Sequence, residues 1–371
     1  MENYNILASV ANETDAIRDF IYQRRSRIVN APPRRHRPYS IYIVHLDRPP
    51  FDGKIILMTN NPEPLLKMNP SNPSFSGNGK PKVALVLSGG GSKGAYSVGV
   101  VNALCERGIH PDIVCGTSSG ALSAAMVVAG EEKKLLEIWK HLTTEKVYSR
   151  MWKMSFIASF FSNFTYPFFS SKPLLDLIRE SVDFERIQKS SKKLIVSAFD
   201  LVTGKVLRFY NDSPHLDLCL LASASIPVIF PPVRVGDHVL VDGGVTDNVP
   251  FKAAIENGAT KIYAVINSRR EDFANKKIRN NLALTITLLE ASQYAILLDD
   301  AQHLNRINSL YPRGELHPVE MVLLQPSKSL ELGTLEFSNS YKLNRAIELG
   351  YEDTVKFLSV NAPDNPLAIK A

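Results

Sequence analysis

The sequence has little of what marks secreted, membrane-spanning or zinc-binding chains. Its 371 residues hold three cysteines, Cys105, Cys115 and Cys219, which lie singly in apolar stretches rather than at disulfide spacings. We therefore expect reduced core residues and a reducing compartment such as the cytoplasm. No basic segment followed by an apolar core marks a secretory signal near the N-terminus.

Long hydrophobic runs are also scarce. The longest apolar stretch with helical character, residues 281–300, is interrupted by Glu290 and Gln293. We therefore interpret it as too short and too polar for a membrane span. Any membrane contact is expected to be peripheral and transient.

The charge of the chain is mildly positive, with a formal net charge of +6. Residues 24–37, "RRSRIVNAPPRRHR", carry six arginines and no acid. This segment can be a solvated basic arm, or a surface for anionic lipid, nucleic acid or an acidic protein. No zinc-ligand spacing or RNA-binding signature occurs in the sequence, so we expect no nucleic-acid partner.

Strand and helix patterns divide the chain into three regions. Residues 1–80 are interpreted as an N-terminal extension with a helix, a hairpin, the basic arm and a linker. In residues 81–268, near-continuous apolar strands alternate with helices, which indicates an α/β domain whose mostly parallel sheet is covered on both faces. Residues 269–371 are expected to form a helical region that packs on this domain.

A glycine-rich turn follows the first apolar strand of the middle region. The spacing of Gly89, Gly91 and Gly94 fits a dinucleotide-binding turn, but backbone N–H groups in such a loop can also bind an oxyanion. A dinucleotide site needs an acid at the end of the next strand, and that strand ends in Cys115 and Gly116. No Gly-Lys-Ser/Thr follows the glycines either, so both phosphate-binding interpretations fail.

The next strand leads into "GTSSG", which places Ser118 in a G-x-S-x-G pattern between a strand and a helix. This context is typical of a nucleophile elbow, and the glycine loop on the neighbouring strand can then supply oxyanion donors. None of the eight histidines lies in a strand-end or glycine-framed setting. Asp242 ends an apolar strand before two glycines, and burial beside Ser118 would raise its basicity above that of a free carboxyl.

Four motifs occur in the order "SGGGSKGAY", "GTSSGAL", "ASASIPVIFPPV" and "DGGVTDNVP" within residues 82–268. In this respect the chain resembles the patatin-like phospholipase family. The resemblance implies a three-layer α/β/α fold with a mostly parallel central sheet and a Ser–Asp dyad without a catalytic histidine. It also implies hydrolysis of fatty-acyl ester bonds in phospholipids or lysophospholipids, with no metal or organic cofactor.

By position in these motifs, Ser118 is the expected nucleophile and Asp242 the expected base. The expected oxyanion hole consists of backbone N–H groups of the glycine loop: Gly89, Gly90, Gly91 and Ser92. Lys93 is expected either to draw in a lipid phosphate or to fix the start of the following helix. A general carboxylesterase or an acyltransferase with the same dyad remains an alternative, and a silent lipid-binding protein a weaker one. Headgroup preference and any protein activator stay open.

An aromatic run, residues 148–169, holds nine aromatic side chains, six of them repeating every four residues. It is interpreted as a core-packing helix, as a cap over an acyl pocket, or as an element that dips into lipid. In the cap interpretation three side chains contact the substrate: Trp152, Phe156 and Phe160.

Overall fold

A computed structural model describes residues 82–150, 168–273, 278, 280–310 and 319–360. All of these residues belong to one structural unit. The extension predicted for residues 1–80 lies outside the described residues, so the division into three regions stays a prediction. The same holds for three predicted substrate contacts in the aromatic run: Trp152, Phe156 and Phe160.

The described strands form one large sheet and one small antiparallel pair. In chain order they are β1 (Lys82–Leu87), β2 (Ile113–Thr117), β3 (Ser149–Arg150), β4 (Phe169–Ser170), β5 (Lys193–Asp200), β6 (Lys205–Phe209), β7 (Val233–Val235), β8 (His238–Asp242), β9 (Ala259–Val265) and β10 (Glu320–Leu324). The large sheet has the order β10-β9-β1-β2-β5-β8-β7, with β6 also paired to β5. Its first five strands run parallel, which confirms the mostly parallel sheet predicted from the sequence.

Helices cover both faces of the sheet. They are α1 (Gly94–Glu106), α2 (Ser119–Val128), α3 (Glu132–Lys140), α4 (Thr144–Val147), α5 (Lys172–Ser181), α6 (Phe184–Lys189), α7 (Leu216–Ser223), α8 (Phe251–Glu256), α9 (Asn281–Leu310) and α10 (Ser340–Val360). On β1, Leu85 and Leu87 pack with α1, α2 and α10, while Ala84 and Val86 face α8 and α9. This alternation confirms the three-layer α/β/α fold.

The region after residue 268 contributes more than packing helices. β10 extends the sheet at its edge, where Met321 pairs with Ile262 of β9. α9 continues for 30 residues, well beyond the apolar stretch noted in the sequence. By length and composition alone, its Asn281–Leu304 part would suffice to cross a membrane, a test that core helices of other proteins also pass.

Strand register brings the ends of β2 and β8 together across β5. Thr117 pairs with Ser197 of β5, and Asp242 pairs with the next residue, Ala198. Because β8 is antiparallel to β5, Asp242 does not reach the site as the end of a parallel strand. The register across β5 places it beside the residue that follows Thr117, which is Ser118.

Candidate active site

Ser118 occupies the sharp turn between β2 and α2. Its φ of 56° lies in the left-handed region, which non-glycine residues rarely adopt and which is typical of a nucleophile elbow. Its N–H donates to Ser223 Oγ at 3.0 Å, and that hydroxyl donates to the Ser197 carbonyl at 2.7 Å. A Cβ on Gly120 would lie 2.2 Å from the Leu87 carbonyl oxygen, so only glycine lets α2 approach β1 this closely. These contacts hold the strained turn.

Asp242 is buried at the end of β8, with 4% of its surface exposed. It accepts a hydrogen bond from the Gly244 N–H at 2.8 Å. Burial raises the pKa of Asp242 from 3.8 to about 7, although its interactions with Ser118 and Gly244 oppose that rise. A carboxyl group that titrates near neutral pH can accept a proton from a serine hydroxyl. The histidine of the same strand, His238, instead bonds Asp200 at 2.9 Å.

Two of the four predicted oxyanion donors are already engaged. The Gly89 N–H donates to Asn248 Oδ1 at 3.1 Å. The Ser92 N–H donates to the Thr334 carbonyl at 2.9 Å. Each N–H carries a single proton, so these two groups are bonded within the protein in this structure, and the oxyanion hole of four residues stays a prediction. Gly89 and Ser92 instead fix the loop at its two ends.

The remaining loop donors are the N–H groups of Gly90 and Gly91. Across the described ranges, the structure shows no acceptor for either of them. They lie between the two fixed ends of the loop, which passes close to Ser118: a Cβ on Gly89 would lie 2.9 Å from the Ser118 Cβ. Gly90 and Gly91 are therefore the loop donors that can still bind an oxyanion formed at Ser118.

Lys93 directs its charge into the protein rather than to solvent. Its Nζ lies 2.7 Å from Glu290 Oε1 of α9, and both side chains are buried. The Thr334 hydroxyl donates to the same carboxylate oxygen. Of the two roles expected for Lys93, this geometry supports fixing the loop and helix start rather than contact with a lipid phosphate.

An apolar cavity opens at Ser118 and extends between α2, α3 and α5. The empty space that it lines, counted out into open solvent at its mouth, is about 780 Å³. Its wall is almost wholly hydrocarbon, from residues that include Leu122, Met126, Trp139, Leu174, Ile178 and Phe230. Such a cavity can bury an acyl chain whose ester carbonyl lies at Ser118.

The two described ends of the aromatic run lie at this cavity. Tyr148 packs against Phe169 and Phe230, with ring centroids 4.6 and 6.0 Å apart. The Phe168 N–H donates to the Val228 carbonyl at 3.2 Å. Both Phe168 and Val228 expose large parts of their side chains. The middle of the run lies outside the described residues, so its three interpretations remain predictions.

Sequence reasoning missed the residues that hold the glycine loop. Asn248 lies in the motif "DGGVTDNVP" without a distinct role assigned to it, whereas in the structure its side chain accepts the Gly89 N–H. Glu290 was interpreted only as an interruption of an apolar stretch. A carboxylate on the apolar face of a helix needs a buried partner, and that requirement was the available signal. No sequence pattern marks Thr334 as a residue that holds the loop.

Comparison with known proteins identifies relatives of the middle of the chain. A sequence profile described as "Patatin-like phospholipase" matches residues 85–255. A "Probable lipid hydrolase 463L" of Invertebrate iridescent virus 6 is 32% identical over 194 residues, which cover 49% of this chain and 67% of the viral protein. A "Lysophospholipase NTE1" of Mycosarcoma maydis is 27% identical over 286 residues, or 74% of this chain and 15% of the fungal one.

Other matches are more limited in extent or in similarity. An "Uncharacterized NTE family protein" of Mycobacterium tuberculosis is 30% identical over 175 residues, so the match spans only 46% of that relative and 47% of this chain. Among solved structures, VipD from Legionella pneumophila matches with a TM-score of 0.42 and 18% identity, over 76% of this chain and 67% of that one.

Proposed function

Because this chain belongs to the patatin-like phospholipase family, we propose that it is a serine acyl hydrolase that cleaves fatty-acyl ester bonds of phospholipids or lysophospholipids. The observation that carries the proposal is the position of the buried Asp242 carboxyl beside Ser118, which the strand register across β5 fixes, with its pKa raised by burial to about 7. Ser118 also lines an apolar cavity. A nucleophile, a base and a hydrocarbon-lined site are together what cleavage of an acyl ester requires.

The first half of the reaction forms an acyl-enzyme. Asp242 takes the proton of Ser118 as Oγ attacks the ester carbonyl carbon, and the N–H groups of Gly90 and Gly91 stabilise the resulting oxyanion. When the tetrahedral intermediate collapses, the ester C–O bond breaks and Asp242 returns the proton to the departing alcohol. The acyl group is then bonded to Ser118 Oγ, and its chain lies in the cavity.

The second half releases the fatty acid. Asp242 takes a proton from a water molecule that attacks the acyl-enzyme carbonyl, and the same loop donors stabilise the second oxyanion. Collapse of this intermediate breaks the bond to Ser118 Oγ, which regains the proton from Asp242. The fatty acid leaves and the dyad is restored. All proton transfers use one carboxyl group, which is why its pKa near neutral pH matters.

Transient contact with a phospholipid surface is part of the proposal. Only 17% of the apolar window Asn281–Leu304 of α9 is buried in the described structure, and Leu284 and Leu288 are exposed. The opposite side of α9 packs on a cluster that includes the cavity-lining residues Ile226 and Phe230. A helix with an exposed apolar face beside the cavity suits binding to the surface that presents the substrate.

The test is product analysis on mixed membrane lipids by wild type and Ser118→Ala. We expect free fatty acid from wild type and none from the variant. Ser123→Ala is a matched control, because this serine lies on the same helix and donates to the Ser119 carbonyl. Undiminished fatty-acid release by folded Ser118→Ala would contradict the proposal. Transfer of the acyl group to an added alcohol in preference to water would favour an acyltransferase, and cleavage of simple esters alone a carboxylesterase.

A further inference from the structure

The glycine loop depends on a part of the chain that lies outside the family match. One end of the loop is held by Asn248, within the matched residues 85–255. The other end contacts α9 and residues 333 and 334, which come after the match. The Ser118–Asp242 pair does not explain why these later residues hold the loop.

The ion pair between Lys93 and Glu290 is enclosed by protein. The two side chains are each 9% exposed, and Nζ lies 2.7 Å from Oε1. Removing one partner of such a pair leaves an uncompensated buried charge, so the other partner must move or recruit water. Lys93 directly follows the loop residue Ser92, so any such movement would displace the loop.

Backbone contacts tie the same region to the loop a second time. Ser92 donates through its N–H to the Thr334 carbonyl at 2.9 Å and through Oγ to the Gly333 carbonyl at 2.6 Å. Gly91 has φ +57°, and a Cβ there would lie 2.0 Å from the Thr334 carbonyl oxygen. The Thr334 hydroxyl donates to Glu290. Glu290 therefore joins both groups that hold this end of the loop.

We propose that Glu290 is a positioning residue for the reaction: by binding Lys93 and Thr334 it holds the glycine loop so that its free N–H groups face the oxyanion formed at Ser118. This inference rests on the proposed function. Glu290 is 8% exposed and bonds to Lys93 and Thr334, so its effect on substrate passes through the loop. It stabilises the transition state and contributes little to ground-state binding.

The expected kinetic signature is a loss in kcat with KM nearly unchanged. Loss of one oxyanion donor costs about 10²–10³-fold in kcat. A loop that is displaced but still present should cost less, about 10–100-fold. The loss should be the same for a neutral ester and for a lysophospholipid, because the loop binds the carbonyl oxygen common to both.

The experiment compares wild type, Glu290→Gln and Asp300→Asn. Asp300 lies on the same helix and pairs with Lys252 at 2.5 Å, so its variant also removes one carboxylate and one ion pair from α9. Each protein is assayed on p-nitrophenyl butyrate and on lysophosphatidylcholine, and the rate at which a fluorophosphonate labels Ser118 is measured. Thermal unfolding shows whether each variant is folded.

We expect Glu290→Gln to lose about 10–100-fold in kcat on both substrates, and a similar factor in labelling rate, while Asp300→Asn stays within about 2-fold of wild type. Unchanged kcat in folded Glu290→Gln would overturn the proposal, as would an equal loss in Asp300→Asn. An increase in KM for lysophosphatidylcholine with kcat unchanged would also overturn the proposal. It would favour a role for Lys93 in binding the headgroup.

A second variant covers the case in which Glu290→Gln does not fold. Thr334→Val keeps the ion pair and removes only the hydroxyl that donates to Glu290, and we expect about a 3–10-fold loss in kcat on both substrates. No loss in this variant would contradict the proposal. If wild type hydrolyses no lipid, the proposed function fails, yet the neutral ester and the labelling rate still report on Glu290.

Discussion

The two halves of the site are held by different parts of the chain. Ser118 and Asp242 are fixed by β2, β5 and β8, all inside the segment that matches the family profile. The glycine loop begins in that segment but is also fixed by α9 and Thr334, which lie after it. The comparison teaches that the proposed nucleophile and base come with the shared strands, whereas the glycine loop proposed to bind the oxyanion also depends on a region that the profile does not cover.

We expect the largest loss of activity from a substitution in the Ser118–Asp242 pair. Asp242→Asn keeps the size of the side chain but removes the base, so kcat on a neutral ester should fall about 10²–10⁴-fold. Asp237→Asn is the control, because Asp237 is exposed in the turn before the same strand. Steady-state kinetics on p-nitrophenyl butyrate measures both. Loss of less than 10-fold in folded Asp242→Asn would show that another group takes the proton.

The raised pKa of Asp242 also predicts how activity depends on pH. The base works when it is ionised, so kcat/KM should rise with pH and level off above about 7. The folded state binds this proton more tightly than the unfolded chain, so the contribution to stability is present below about pH 4 and is lost as the pH rises through about 7. That contribution is on the order of 4 kcal/mol. Asp242→Asn should lack this part of the pH dependence in urea unfolding.

We expect a smaller loss of activity from changing Asn248, which holds the Gly89 end of the loop. Asn248→Ala removes the acceptor of the Gly89 N–H, and we expect about a 10-fold loss in kcat with little change in KM. Asn257→Ala is the control, since that amide donates to the Ala253 carbonyl of its own helix. Combining Asn248→Ala with Glu290→Gln sharpens the comparison, because two supports of one loop should not act additively. Strict additivity in kcat would indicate that the two ends of the loop are independent.

The sequence was sufficient to predict the fold and to select Ser118 and Asp242 as the candidate pair, because both leave local patterns. Apolar strands that alternate with helices predict the layered sheet, and glycines around Ser118 and after Asp242 predict their turns. The loop supports are different, since Gly89 and Asn248 are 159 residues apart and Lys93 and Glu290 are 197 apart. Such contacts have no periodicity, and only the three-dimensional packing shows which N–H groups are already bonded.

The orientation of β8 could not be read from its sequence either. An apolar strand that ends in an acid looks the same whether its neighbours are parallel or antiparallel. The antiparallel pairing with β5 decides that Asp242 lies beside Ala198, and hence near Ser118. Asp242 could therefore be selected as the candidate base from its setting, whereas the antiparallel strand that places it beside Ser118 could not be predicted.

The smallest effect is expected at the exposed face of α9. Leu288→Ser should weaken binding to phosphatidylcholine vesicles about 5-fold, because an exposed leucine that inserts only partly into the lipid contributes about 1 kcal/mol of apolar transfer free energy. Hydrolysis of p-nitrophenyl butyrate should not change, because Leu288 faces away from the cavity. Leu201→Ser is the matched control at an exposed leucine in the turn between β5 and β6. If all three proteins bind vesicles equally in a sedimentation assay, α9 does not take part in the membrane contact.

The most direct test of the central claim, that Ser118 carries the acyl group during turnover, is mass spectrometry of the protein quenched with acid during hydrolysis of lysophosphatidylcholine. The peptide that contains Ser118 should gain the mass of the fatty acid minus one water, and the gain should be absent in Ser118→Ala. An acyl mass on a different residue, or full turnover by Ser118→Ala, would contradict the claim.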